Sequence, residues 1–433
     1  MNSLKQIFGG DTRQFGMIFA LVALVVFFQW RTGGKTLTSV NMMNLFNGNS
    51  YILILAIGMV LVIIAGHIDL SVGSVAAFVG IVVAIAMRDW GIPWYLGALL
   101  GLVLGALIGA WHGFWVAYVG IPAFIVTLAG MLLFRGANQS VGNSLTVPVP
   151  EGFRYLGAGY LPEVGPNTGY NNITLLMGLA LVAFVIYSEF RNRRKLARIN
   201  ADLPPTWVPV TKVVLLSAVI LYATYLFATG RPGTSFPVPG LILGILVIIY
   251  AFISNKTILG RHVYAVGGNR HAAELSGVQS KRVNFMVMMN MSILAALAGM
   301  IFVGRSTASG PSDGVGWELD AIAAVFIGGA AVTGGVGTVV GSIIGGLVMA
   351  VLNNGLQLLG AGADDTQIIK GVVLLVAVAF DVYNKSQGKP SIIGMLTRNF
   401  GGGSGGGKTP TPTPQPAPTE QAVGTKEVIS HEV

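Results

Sequence analysis

The sequence contains no cysteine, which excludes disulfides, thiol catalysis and cysteine-based metal sites. Charge is scarce: 10% of the 433 residues are Asp, Glu, Lys or Arg. Soluble domains carry about 25%, so this chain cannot cover a soluble surface of its size. Its five histidines are scattered. They supply no metal centre and no convergent acid–base group, so a membrane-embedded enzyme is disfavoured and no catalytic residue is assigned. What is present is apolar: 53% hydrophobic residues, a mean hydropathy of +0.71, and 60 glycines. Glycine is frequent in membrane helices, where neighbouring helices repair what it loosens. The net charge of +9 would point to nucleic acid in a soluble protein. In a membrane protein it follows from Lys and Arg collecting in cytoplasmic loops, so the surface partner expected is lipid.

A bilayer crossing takes about 20 apolar residues. Twelve candidates run in order: Phe15–Trp30, Tyr51–Gly66, Val72–Met87, Trp94–Val119, Ile121–Phe134, Ile173–Tyr187, Val213–Thr229, Phe236–Ile253, Val283–Val303, Ala321–Thr333, Val336–Leu359 and Thr366–Val382. Two pairs are short enough for re-entrant hairpins, one turning at His67–Ser71 and one at Gly334-Gly335. The expectation is therefore an all-α transmembrane bundle of 10–12 helices, with an even number of crossings. Threading twelve spans from a cytoplasmic N-terminus places 18 of the 26 basic residues inside and seven outside, with Lys370 in the last span. That bias puts both termini in the cytoplasm. No cleavage site follows the first span, where Gln29-Trp30-Arg31 stands instead, so it reads as an uncleaved anchor. Residues 1–398 read as the transmembrane domain, and residues 399–433 as a disordered cytoplasmic tail rich in Gly, Pro and Thr.

Glycines recur every four residues at Gly97, Gly101, Gly105, Gly109 and Gly113, and again at Gly337, Gly341 and Gly345. Such stripes let another backbone approach closely, within the chain or at a subunit interface. Ionisable groups inside spans are suspects for function. They are His67 and Asp69, in what reads as a solvated cytoplasmic turn, and His112, a packing histidine. Lys370 and Asp381 are placed to snorkel from the last span. No carboxylate stands convincingly at the midplane, which argues against an ion-coupled pump. Asn290, Asn353, Asn354 and Gln357 suit a path for a neutral, hydroxyl-rich solute, and interhelical hydrogen bonds explain them equally well.

Gly402–Thr409 formally matches a phosphate loop. A working one follows a strand and opens a helix, and here Pro410 and alternating Thr-Pro follow instead. Energy from ATP would thus have to come from another chain. The loop over 255–282 is where that chain would attach. Asn269 can cap a short helix there and Gly277 can end it.

This loop resembles the cytoplasmic loop of permease subunits of bacterial ABC importers for monosaccharides, the ribose/xylose type. Their pattern G-R-x-x-Y-A-[VI]-G-G-N-x-x-A-A-x-L-S-G is met from Gly260 to Gly277. Gly66–Ser74 resembles the family's first-half signature in its xylose-like form. Gly316–Ala324, with Gly328-Gly329, Gly334-Gly335 and Asn354-Gly355-Leu356, resembles the second-half signature. The likeness spans about residues 15–385. The stretch from about 173 to 229 adds a helix pair and the basic loop Arg191–Arg198, which points to the xylose or multiple-sugar subgroup.

The resemblance implies a type II importer-like permease in the bacterial inner membrane. It implies pairing as a homodimer, with a separate ATPase that binds ATP and Mg below and a periplasmic sugar-binding protein above. By carry-over, Gly268, Asn269, Arg270, Ala272, Glu274 and Leu275 form the ATPase-coupling segment. The signature blocks make His67, Asp69, Glu318 and Asp320 path candidates, joined by Asn290 and Asn354. Arg305 and Asp313–Asp320 would lie near the docked binding protein. A branched-chain amino-acid ABC permease shares this architecture, and a secondary transporter would work without an ATPase.

Overall fold

A computed structural model describes residues 12–198, 205–230 and 234–386. The tail at 399–433, including the Gly402–Thr409 run, lies outside the described residues, as does the side chain of Asp381. The architecture is helical. Among the described residues one sheet pairs β1 (Val147–Pro148) antiparallel with β2 (Ala308–Ser309), Val147 opposite Ser309.

The chain opens with α1 (Thr12–Arg31), α2 (Ser39–Ile64), α3 (Val72–Asp89) and α4 (Trp94–Phe114), which continues into a π-turn over Trp115–Val119. Next come α5 (Ala123–Val141), the short α6 (Glu151–Ala158), and the pair α7 (Asn172–Arg198) and α8 (Trp207–Ala228). Then follow α9 (Val238–Lys256), α10 (Ile258–Gly268), α11 (Arg270–Leu275), α12 (Ser280–Ser306), α13 (Trp317–Ile327), α14 (Val339–Leu358) and α15 (Ala363–Ser386). Among the described residues, nine helices are long and apolar enough to cross a membrane: α2, α3, α4 with its π-turn, α5, α7, α8, α9, α12 and α14.

The apolar runs underestimate several helices. The run read as Tyr51–Gly66 begins at Ser39, because Asn41, Asn47 and Ser50 lower its hydropathy yet find partners inside the bundle. The run read as Ile121–Phe134 continues to Val141, so Arg135 stands within a helix rather than in an outer loop. The segment read as a span over Ala321–Thr333 is the 11-residue α13, which ends where Gly328 and Gly329 follow. Eleven residues rise only about 16 Å and cannot cross alone.

The core is built around α2 and α12. From Leu53 to Ile57 every α2 side chain is fully buried, as expected of a helix apolar on all sides. Glycine contacts fix the sense of the helices. Along α4, Gly101 meets Met300, Gly105 meets Ala296, Gly109 meets Met289 and Gly113 meets Phe285, so α4 runs antiparallel to α12. Gly48 lies by Arg305 and Gly58 by Met291, so α2 does the same. In α3, Ala76 lies against Gly299 and Gly80 against Val303, which makes α3 parallel to α12. Gly341 and Gly345 of α14 pack on Gly328 and Ala324. Both glycine stripes thus join helices of this one chain. The helix pair α7–α8 sits at the periphery: Gly178 faces Thr224, Lys212 pairs with Glu189 at 3.1 Å, and most side chains point outward.

Candidate functional site: a coupling platform and a buried charge seam

The surface that carries α10, α11 and the start of α12 is called the loop face below. Thr257 caps α10 by accepting from Gly260 N–H at 3.2 Å. Asn269, in extended backbone, ends α10 and caps α11 by accepting from Ala272 N–H at 3.0 Å. After Leu275 the chain turns through Gly277 at φ 84°, a left-handed position that glycine takes without strain. The cap and the stop expected from the sequence are both in place.

Within α11, Arg270 Nε donates to Glu274 Oε1 at 3.0 Å, and Ser280 Oγ donates to the same oxygen. The Ser280 hydroxyl first, then Arg270, hold the Glu274 carboxyl below its usual range. Leu275 is 78% exposed, an apolar side chain with nothing to cover it. Ala272 and Ala273 leave the helix slim, with Ala273 buried against the bundle.

The platform is anchored by backbone. Gly267 presses on the Ile64 carbonyl at the end of α2, and the same oxygen accepts from Gly335 N–H at 2.8 Å. Gly335 in turn lies against Gly268, and Tyr264 Oη donates to Gly337 O at 2.6 Å. The Gly334-Gly335 turn therefore brings the second-half signature onto the platform. A cavity of about 440 Å³ opens beside it, lined by Gly66, His67, Arg270, Lys281 and Asn284 together with the π-turn.

The second cluster lies deeper. After α2 the non-helical segment Gly66–Ser71 climbs back into the bundle, and α3 starts only at Val72. Asp69 is therefore 0% exposed rather than solvated. Its Oδ1 accepts from Ser71 N–H at 2.8 Å and from Ser71 Oγ at 2.6 Å, while Oδ2 has no partner. His67 is half-buried with Nε2 unpartnered. His112 packs between Gly130, Trp111 and Phe134, as expected of a packing histidine, but neither ring nitrogen is satisfied.

The mirror arrangement opens α13. The segment before it, expected to lie in an outer loop, dives into the bundle until Gly314 and Gly73 touch through their carbonyls. Glu318 is 6% exposed; Oε1 lies 3.8 Å from Arg135 of α5, and Oε2 faces Gly73 in the first turn of α3. A carboxylate there meets the positive end of a helix dipole. Asp320 pairs with Lys370 of α15 at 2.8 Å, so Lys370 is engaged inside the protein rather than snorkelling. The sequence places no carboxylate convincingly at the midplane and reads Asp69 as solvated; both Asp69 and Glu318 are instead buried in the bundle. Both stand where apolar runs are interrupted, which is why hydropathy alone passed them over.

Asn354 spends its amide on a neighbouring helix, whereas Asn290 uses only its oxygen and keeps a buried, unpartnered Nδ2. Tyr250 Oη donates to Asn290 Oδ1, and Asn354 exchanges two hydrogen bonds with Asn41 at 2.8 and 2.9 Å. Arg135 is the residue that sequence reasoning missed. The signal was available: Gly130, Phe134 and Asn138 continue the buried stripe of α5 past the end of the apolar run.

A family model described as branched-chain amino acid transport system / permease component matches residues 41–378. The chain belongs to this permease family. The xylose transport system permease protein XylH of Haemophilus influenzae is 40% identical over 372 residues, covering 86% of this chain and 96% of the relative. Its Escherichia coli K12 counterpart is equally similar and is covered to 92%. The ribose import permease protein RbsC of Escherichia coli K12 is 35% identical over 347 residues, covering 80% of this chain and 86% of RbsC. No solved structure matches. The permease is accordingly a multi-pass inner-membrane protein of the ribose/xylose ABC-importer type, a transport subunit rather than an enzyme. These relatives decide against ion-coupled transport, which the buried carboxylates alone would have left open.

Proposed function

We propose that the permease is the membrane-spanning subunit of an ATP-driven importer that passes a monosaccharide, xylose or a related pentose or hexose, across the inner membrane. The named substrates of its relatives support the sugar class. The observation that carries the mechanism is the platform. An exposed, capped helix with a bare Leu275 at its tip is fastened by backbone to both halves of the bundle. In this reading a cytoplasmic ATPase grips α11, the loop face is cytoplasmic, and both termini lie on that side. The ATPase holds ATP and Mg, and this chain holds neither. Two copies of the permease form the path, and a periplasmic binding protein delivers the sugar to the opposite face. A push on α11 reaches α2 through the Gly267–Ile64 contact and α14 through Gly335, so both halves respond to one stroke.

The test is purification of the chain in mild detergent from its native membrane, with mass spectrometry of what accompanies it. Recovery of an ATPase with Walker motifs, lost when residues 267–277 are scrambled in an otherwise folded chain, supports the reading. Recovery of the chain alone, with sugar uptake that survives ATP depletion but not a proton uncoupler, refutes it.

A further inference from the structure

The Arg135–Glu318 pair has no role in the coupling platform, and its surroundings are chemically unusual. Arg135 lies twelve residues into α5, about 18 Å from the loop face at 1.5 Å per residue. Glu318 reaches Gly73 at the level of the middle of α12, which gives a similar depth. With about 30 Å of hydrocarbon, that is close to the bilayer centre. The Arg135 side chain is nonetheless 32% exposed there.

A guanidinium has five N–H donors. Among the described residues the one partner of Arg135 is Glu318, at 3.8 Å, wider than a hydrogen bond. A charged group with unspent donors does not face lipid tails at this depth; it faces water or protein. The neighbouring surface is exposed too: Val315 and Leu319 each show 56% of their area. Two residues on, on the other side of α13, Asp320 pairs with Lys370 of α15. Glu318 itself is buried near the N-terminus of α3 with Oε2 unpartnered, so it does not reach the surface, and its charge draws the guanidinium toward it.

We propose that Arg135 is a substrate-contacting residue of the translocation path, donating hydrogen bonds to sugar hydroxyls at mid-membrane, with Glu318 as its positioning residue. With Glu318 supplying the counter-charge, the free N–H donors of the guanidinium are left for the hydroxyl oxygens of an uncharged solute. A loose ion pair suits passage, because the contact must form and release at each cycle. The inference rests on the importer reading above.

The chain lacks cysteine, so single cysteines report cleanly. In the assembled importer in vesicles, Leu319→Cys, exposed and next to Glu318 in the chain, is expected to react with a charged, water-soluble methanethiosulfonate. Xylose supplied with its binding protein should slow that reaction during turnover. Leu176→Cys, on the outward face of α7, is the lipid-facing reference and should stay inert. Arg135→Gln should lower maximal xylose uptake about tenfold, the loss expected for hydrogen bonds from a charged donor. It should also flatten the preference for xylose over a deoxypentose, with thermal stability and dimer formation kept. Glu318→Gln should fall between wild type and Arg135→Gln in both readouts. A Leu319→Cys as inert as the reference, or normal uptake and selectivity in Arg135→Gln, overturns the proposal. Loss of uptake together with loss of the dimer in Arg135→Gln also overturns it, assigning the residue to a subunit contact. Reactivity at Leu319→Cys slowed by another small solute and by no sugar supports a path at this face and refutes the sugar reading instead.

Discussion

Replacing Gly267 with alanine would set a methyl carbon 1.6 Å from the Ile64 carbonyl oxygen, 2.7 Å from its carbon and 2.9 Å from Gly335 N. All three atoms are backbone, so no side chain can swing away. Ordinary packing between carbon and oxygen needs roughly 3.3 Å, and the platform must therefore retreat by more than 1.5 Å. That retreat breaks the 2.8 Å bond from Gly335 N–H to Ile64 O and leaves a buried donor and acceptor unpaired. The loss is about 1–3 kcal/mol, against a gain of at most about 1 kcal/mol in helix propensity. Gly268 is the control, since an added methyl there meets nothing within 4 Å. Gly267→Ala should lower the melting temperature in detergent by several degrees and abolish sugar-stimulated ATP hydrolysis in the reconstituted importer. Gly268→Ala should change the melting temperature little. Equal behaviour of the two variants in both assays would refute the argument that backbone contact at Ile64 carries the stroke.

Glu274→Arg should leave membrane insertion and melting nearly unchanged, because exposed pairs contribute under about 1 kcal/mol. It sets a cation beside Arg270 and Ser280, and should strongly reduce ATP-driven uptake; unchanged uptake counts against α11 as the coupling helix. Asn354→Leu removes both bonds to Asn41 and should cost about 1 kcal/mol, read as a modest drop in melting temperature with normal transport. Gly109→Leu forces a side chain into the Met289 backbone at 2.6 Å and should cost at least about 1–3 kcal/mol. Gly136→Leu, in open space on α5, should be tolerated in the same melting assay.

Hydropathy located the long helices because lipid rewards unbroken apolar runs, and it failed where the bundle supplies partners that lipid cannot. The first turns of α2 are rich in Asn and Ser, yet Asn41, Asn47 and Ser50 are all hydrogen-bonded, so the helix begins about a dozen residues before its apolar run. The α11 cap was legible because Asn269 and Gly277 act locally, through their own backbone. The burial of Asp69 and Glu318, both already path candidates, and the place of Arg135 were not, because they depend on where a broken helix re-enters and on which distant strand of chain it meets. Gly73 against Gly314 is a contact across 241 positions, and no local pattern announces it.

The length of α12 sets how movement travels through the permease. It starts five residues after α11 and runs without proline for 27 residues, about 40 Å, to the far face. There Gly157 of α6 sits on the Ile301 carbonyl and β2 follows at once. Such a helix behaves as a connecting rod with no knuckle along it. On the proposed importer reading, a tilt imposed where the ATPase docks is felt where the binding protein docks, so the two docking faces are coupled through one helix.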